Sequence, residues 1–412
     1  MVQCPRMSAE QTEPSRRWLD PRLLAVGMVG FCAFLDLHCA QPLLHLFTQV
    51  FDVTPVQASL TVSVTPLAIA LAAPFVGLVA DRRSRKGFII FSLTLLAVPT
   101  FLAATSGTLY TLVFWRFLQV FVMPGAFAVI LAYISEEWSG GNLGRAMSAN
   151  IAGNVLGGFS GRFIAGWMAD HFGWRSAFIT LGALTLIGAF VVWRWLPESR
   201  QYTRRTTNAA PVFTTLGTHL RNPRLLAVCA VGFSVLFCLT GAFTYVNFYL
   251  AAPPFGLGPG ALGSIFAVYL IGVIVTPIAG RYLDRVGHRR MLALALSCSA
   301  AGLLLTLVPR LPLVILGLTI CSTGTFICQS AATTALGMAS NRDRSAAAGL
   351  YLTFYYGGGS LGAVLPGFAW NHGGWPLCVA LLVAIQFLTV GLAMSTWPDR
   401  MPRRGRAAPG TA

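Results

Sequence analysis

The sequence predicts an all-α membrane protein of twelve transmembrane helices, in two six-helix bundles related by a parallel tandem repeat. Three observations carry that expectation. Apolar runs of about 20 residues recur along the 412-residue chain, basic residues collect on alternate loops, and two motifs return after about 200 residues.

Hydrophobic residues make up 55% of the chain and charged ones 10%, with a mean hydropathy of +0.68. A backbone in hydrocarbon must satisfy its own hydrogen bonds, and these runs exceed the roughly ten residues of a barrel strand, so they are expected to be helices. The predicted spans are 22–46, 55–80, 87–106, 109–134, 146–169, 176–196, 223–250, 261–283, 290–308, 311–336, 345–370 and 375–397. That divides the chain into an N-terminal segment 1–21, a first bundle 22–197, a linker 198–222, a second bundle 223–397 and a basic tail 398–412. A basic region precedes the first apolar run, as in a cleavable signal, but the run is too long for one and many spans follow it. It is read as an uncleaved helix.

The chain carries 29 Lys and Arg against 13 Asp and Glu, a net charge of +16. Such a balance suggests a nucleic-acid partner until the bases are placed. With the N-terminus in the cytoplasm, 24 of them fall in cytoplasmic segments, while the outer loops hold only Arg175 and Arg310. That asymmetry is the positive-inside rule. It puts both termini in the cytoplasm and removes the case for nucleic acid. The nine cysteines suggest neither a disulfide framework nor a metal site, since eight lie in apolar spans.

The repeat is explicit. "GLVADRRSRK" from Gly77 returns as "GRYLDRVGHRR" from Gly280, so that Gly77, Asp81, Arg82 and Lys86 correspond to Gly280, Asp284, Arg285 and Arg289. "GGFSGRFIAGWMADHFGW" (157–174) returns as "GGSLGAVLPGFAWNHGGW" (358–375). Six spans per half is an even number, so both halves cross the membrane in the same sense. In the first motif, glycine allows close helix approach. Asp81 can accept hydrogen bonds from Arg82 or from a helix N-terminus of the opposite bundle. The bases alone would serve topology; the recurrence of the glycine and the acid favours a conformational latch of Gly77, Asp81, Arg82, Arg85, Lys86, Gly280, Asp284, Arg285 and Arg289.

These residues resemble the signature of the major facilitator superfamily between spans two and three, with a degenerate second copy. "WRFLQVFVMPGA" (115–126) resembles its fourth-helix motif through Arg116 and Gln119, with Val120 where glycine is usual. "AQPLL", "YISEEW", "GNVLGGFSGR" and "LPESR" further resemble the bacterial YnfM-like inner-membrane transporters, in the arabinose-efflux and drug:proton antiporter branch. The resemblance implies that fold, a multi-pass protein of the bacterial inner membrane, and proton movement at Arg116. Arg162 replaces the proline of the antiporter-type fifth-helix motif, which weakens drug antiport and favours an anionic or polyhydroxy substrate.

Charge inside a span costs at least ~3 kcal/mol, so intramembrane ions are functional candidates. Asp36 is the only acid well inside a span, roughly 21 Å from the start of the first helix at about 1.5 Å per residue. It reads as a proton-coupling residue or as a structural acid. On a continuous helix His38, Gln41 and His45 form a polar stripe, with Asp36 about 200° away from His38. His38 is either a cavity residue or a neutral histidine bonded to a backbone carbonyl. Arg116 and Arg162 each need a carboxylate, carbonyl or water; the expectation is that Asp36 or an anionic substrate group pairs with Arg116. In the second bundle Asn247, Gln329, Tyr355 and Tyr356 are the candidate cavity residues.

The predicted function is secondary active transport of a small molecule by alternating access, with proton-coupled efflux leading and proton symport or facilitated uptake of a polar solute such as a sugar or organic anion as the alternative. No phosphate-binding GxxxxGK[ST] pattern occurs, so the proton gradient is the expected energy source, with no cofactor and no metal. Glu136, Glu137, His171 and His372 are scattered singly, which argues against a membrane enzyme. The expected partners are the lipid bilayer and the small-molecule substrate, with the monomer as the functional unit.

Overall fold

The computed structural model describes residues 20–80, 85–121, 123–138, 141–199, 222–339 and 344–396, and among them no strand occurs. The first half comprises α1 (Pro21–Leu35), a short 3-10 turn (Gln41–Leu43), α2 (Leu44–Val50), α3 (Pro55–Ala80), α4 (Arg85–Ala104), α5 (Leu109–Phe121), α6 (Met123–Glu137), α7 (Gly141–Phe172) and α8 (Trp174–Trp195). The second comprises α9 (Pro223–Ala251), α10 (Pro259–Ile265), α11 (Val268–Val286), α12 (His288–Leu305), α13 (Leu311–Ala339) and α14 (Arg344–Thr396). α14 is two limbs joined at Gly373 and Gly374. These elements supply the twelve predicted crossings, and seven of the described helices are by themselves long and apolar enough to span a bilayer. Large apolar side chains such as Tyr110, Phe190, Ile274 and Leu388 stand exposed on the outside, as a hydrocarbon solvent permits.

The sequence starts α1 in the expected way: Asp20 accepts the amide of Arg22 at 2.9 Å, and Pro21 opens the first turn. Gly173 (φ 82°) and Gly374 (φ 60°) occupy equivalent places in the repeat, each just before a tryptophan that opens the next helix. Only glycine takes such a φ without strain.

The repeat also governs packing. Gly153, Gly157 and Gly161 of α7 lie so close to α1 that a Cβ on each would collide with the carbonyls of Gly27, Phe31 and Leu35. In the second bundle Gly358 and Gly362 of α14 meet the carbonyls of Phe233 and Phe237 on α9 in the same way. Small residues spaced by four let backbones touch where apolar lipid offers no other driving force.

Among the described residues two predicted spans are interrupted. Span one stops at Leu35, and Asp36–Ala40 form turns before the chain resumes at Gln41. Pro42 explains this, because it has no N–H for the carbonyl of His38 and its ring clashes there. Span eight tightens between α10 and α11, where the amides of Tyr269 and Leu270 bond the carbonyls of Phe266 and Ala267, three residues back. No proline or glycine occupies 266–267 to announce that break.

The bundles meet at the end remote from Pro21 and Thr396. There Gly166 abuts the Pro259 carbonyl, and the equivalent Gly367 abuts Val56. The Asp170 carboxylate accepts the Gly260 amide at 2.7 Å, Ser63 Oγ bonds the Ser360 carbonyl at 2.9 Å, and Tyr245 bonds the Ala363 carbonyl at 2.9 Å while its hydroxyl lies 3.4 Å from Ser59 Oγ.

Candidate functional site

Between the bundles, just inside that closure, lies a cavity of about 200 Å³. The first bundle contributes His38, Gln41, Asn154 and Arg162 to its wall, and the second contributes Thr240, Tyr269, Phe326, Tyr355 and Tyr356. Asn154, Gly158 and Arg162 are spaced by four on α7, so one helical face presents all three.

Arg162 is the cation of this wall. Its Nε donates to Gln41 Oε1 at 2.7 Å and its Nη1 to the Gly158 carbonyl at 2.6 Å. Its guanidinium carbon sits 4.6 Å from the Phe266 ring centre and 5.2 Å from that of Tyr269. Those rings flank the interruption of span eight, so a cation of one bundle rests on aromatic faces of the other. Among the described residues no carboxylate pairs with it.

Arg116 behaves differently from the expectation. It does not pair with the Asp36 carboxylate. Nη1 donates to the Asp36 carbonyl at 2.7 Å, Nη2 to the Leu37 carbonyl at 2.8 Å, and Nε to the Thr61 carbonyl at 3.4 Å; Gln119 Oε1 accepts from Nη1 as well. Gln119 in turn donates to Thr100 Oγ1 at 2.7 Å. The interruption of span one supplies the reason: Asp36 and Leu37 lose their helical amide partners, and a fully buried guanidinium takes their carbonyls.

Asp36 faces away from both arginines, toward α8. Its Oδ2 accepts from Thr185 Oγ1 at 3.0 Å, while Oδ1 is buried without a hydrogen-bond partner. It is the one fully buried carboxylic acid among the described residues. His45 leaves the proposed stripe and meets Gln49 at 3.2 Å. His38 and Gln41 line the cavity and Asp36 lies behind it, the separation that helical angles predict, while His45 alone departs from the stripe.

In the second bundle Tyr355 and Tyr356 line the cavity, whereas Asn247 and Gln329 do not. Asn247 bonds back to the Phe243 carbonyl of its own helix at 2.5 Å, and Gln329 accepts from the Tyr351 hydroxyl at 3.2 Å. An amide in an apolar helix takes a near partner, and the buried Asn247 and half-buried Gln329 both found one away from the cavity. Sequence reasoning missed Asn154, Thr240 and Thr185. Asn154 could have been found from its spacing of eight from Arg162.

The expected latch is only partly described. Asp81 and Arg82 lie outside the described residues, and Gly77, Gly280, Asp284 and Arg285 are described only as helical positions of α3 and α11. Arg85 makes a bidentate pair with Glu136, at 2.9 and 3.3 Å, and Lys86 lies 4.0 Å from Glu198. Arg289 donates to Met394 Sδ at 3.3 Å. Glu136 belongs to the first bundle, Glu198 to the start of the linker and Met394 to the second bundle, and the acid at the centre of the expected latch, Asp81, lies outside the described residues. Arg85 and Arg289 open their helices, next to the ends of neighbouring helices of the same bundle.

The Major Facilitator Superfamily model matches residues 26–276 and again 248–412. The chain belongs to the major facilitator superfamily. This superfamily member is 32% identical over 382 residues to the uncharacterized MFS-type transporter YybF of Bacillus subtilis (strain 168), covering 91% of this chain and 94% of that one. It is 30% identical over 368 residues to the inner membrane transport protein YnfM of Escherichia coli (strain K12), covering 89% and 88%. A solved bacterial homologue of the lysosomal transporter Spinster, inward-facing and unoccupied, shares the fold with a TM-score of 0.74 at 15% identity, over 92% of this chain and 98% of that one. The superfamily fold makes this chain a multi-pass membrane transporter rather than an enzyme, and its cavity is walled by both bundles.

Proposed function

We propose that this major facilitator superfamily protein is a proton-coupled secondary transporter of the bacterial inner membrane. It exports a small molecule in exchange for protons, with both termini in the cytoplasm. The observation that carries the coupling is Asp36: a buried carboxyl with one unpartnered oxygen, placed at the end of α1 where the helix unwinds beside the cavity. A proton gained or lost there changes the charge behind His38 and Gln41 and alters which arrangement of the interruption is preferred. The loop charge asymmetry supports the cytoplasmic termini, and the fourth-helix resemblance at Arg116 and Gln119 supports proton movement in this region.

The test is transport in proteoliposomes with and without an imposed pH gradient, for the native chain and Asp36→Asn. The reading expects gradient-driven flux in the native protein and gradient-insensitive exchange in the variant. Flux of the native protein that ignores the gradient overturns proton coupling and leaves a facilitator. Proton and solute moving in the same direction replaces export with symport.

A further inference from the structure

We infer that the cavity is a site for a small organic monoanion, a carboxylate on an aromatic or compact apolar body, seated on Arg162. The inference rests on the transporter reading above and specifies its substrate class. Three features of the wall point to it.

The first is charge. The residues lining the cavity include one guanidinium and no aspartate or glutamate. A lipophilic cation finds no counter-charge there, whereas Arg162 is a buried cation without a carboxylate among the described residues, the environment in which a ligand carboxylate gains most. The second is the state of its donors. Nε and Nη1 are engaged by Gln41 and Gly158, while Nη2 has no acceptor among the described residues. The existing bonds fix the plane of the fork and leave one edge to donate to an incoming oxygen. Thr240 and the hydroxyls of Tyr355 and Tyr356 offer further donors across the cavity.

The third is the remaining lining. Phe34, Phe159, Tyr269, Phe326 and Tyr356 present rings, and Leu37, Val155, Leu236, Leu239 and Val273 present aliphatic groups. A sugar of similar size would bury hydroxyls against these without partners, at a cost for each. An aromatic body instead replaces water on ring faces. The cavity, about 200 Å³, falls below the roughly 300–1,000 Å³ of sites for drug-sized ligands, which limits the anion to one ring or a comparable chain.

Arg162 also sets what the anion does on arrival. The guanidinium that receives it rests on Phe266 and Tyr269 at the interruption of span eight. A carboxylate drawn to the free edge competes with the ring faces for the same positive charge, so occupancy is felt at the contact between bundles.

The experiment uses the full chain in detergent micelles and in proteoliposomes. The probes are benzoate, phenylacetate and 4-hydroxybenzoate, the corresponding neutral amides, and the cation benzamidine. Binding is read by thermal stabilisation and equilibrium dialysis. The expected result is at least a tenfold preference for carboxylates over their amides, no stabilisation by benzamidine, and loss of the preference in Arg162→Gln. Arg162→Lys is expected to keep part of it, since it retains the charge and loses the fork. Equal or tighter binding of the amides or of benzamidine overturns the inference, as does an undiminished preference in Arg162→Gln. If the glutamine variant does not fold, the probe series on the native protein still decides. Carboxylate binding without carboxylate flux in proteoliposomes supports the site and removes the transport reading. Flux of benzamidine without carboxylate flux keeps the transporter and removes the anion.

Discussion

Replacing Arg116 with methionine should unfold this protein more easily, and the geometry sets the scale. Methionine keeps much of the stem's packing and removes every donor. The contacts to Gln119 and Thr61 are lost as well, but the scale is taken from the two short charge-assisted bonds to the carbonyls of Asp36 and Leu37, at 2.7 and 2.8 Å, around a fully buried side chain. At about 1.5–3 kcal/mol for each such bond, the loss is about 3–6 kcal/mol. The assay is SDS-driven unfolding in maltoside micelles, followed by tryptophan fluorescence. A cycle with Asp36→Asn distinguishes this account from a carboxylate ion pair. The structure expects a coupling between the two sites below about 1 kcal/mol, because the bonds run to backbone oxygens that asparagine retains. A loss under about 1 kcal/mol for Arg116→Met, or a coupling of about 3 kcal/mol or more, as a buried pair would give, refutes the reasoning.

Gly157→Ala and Gly358→Ala should each cost about 1–3 kcal/mol in the same assay, since the added carbon meets a neighbouring backbone, whereas Gly357→Ala, with nothing within 4 Å, should be neutral or stabilising. Ser63 and Ser360 approach to 3.0 Å between hydroxyls, so Ser63→Cys with Ser360→Cys should cross-link on oxidation. The cross-link should stop transport until reduced; full transport by cross-linked protein would show that the bundles need not part there. Arg85→Gln with Glu136→Gln should show a coupling of about 1–2 kcal/mol that shrinks in salt, given side chains 10% and 28% exposed; zero coupling would remove the pair from the stability of the first bundle.

The helices and the repeat were legible because hydrocarbon leaves a backbone few options and because glycine spacing records helix contact directly. The matching of 157–174 with 358–375 has its structural counterpart in α7 on α1 and α14 on α9, the same packing twice. The interruptions were harder to read. Pro42 marks the first, and helical periodicity already separates Asp36 from His38 and Gln41; what it does not encode is the turn that gives the carbonyls of Asp36 and Leu37 to Arg116. The second carries no breaker residue at all. Arg116 and Arg162 were singled out as needing a carboxylate, a carbonyl or water, and the structure gives them carbonyls, glutamines and ring faces. Such acceptors exist in every segment and leave no distinctive pattern. Asn247 and Gln329 show the converse, since a polar residue in an apolar helix announces a need for a hydrogen bond without saying in which direction it is met.

The seam of α1 on α7 also decides where this molecule can flex. Glycines pressed on backbone from Gly27 to Leu35 leave those helices no room to slide, so they travel as a single beam. The seam ends at the break Asp36–Ala40, whose first carbonyls Arg116 holds, and the counterpart break lies across the cavity at Phe266 and Ala267. Among the described residues each half therefore sets one broken span beside the chamber. Both joints border the chamber, and Arg162 stands between them, hydrogen-bonded through Gln41 to the first and stacked on the rings of the second. A solute entering that chamber touches both elbows at once.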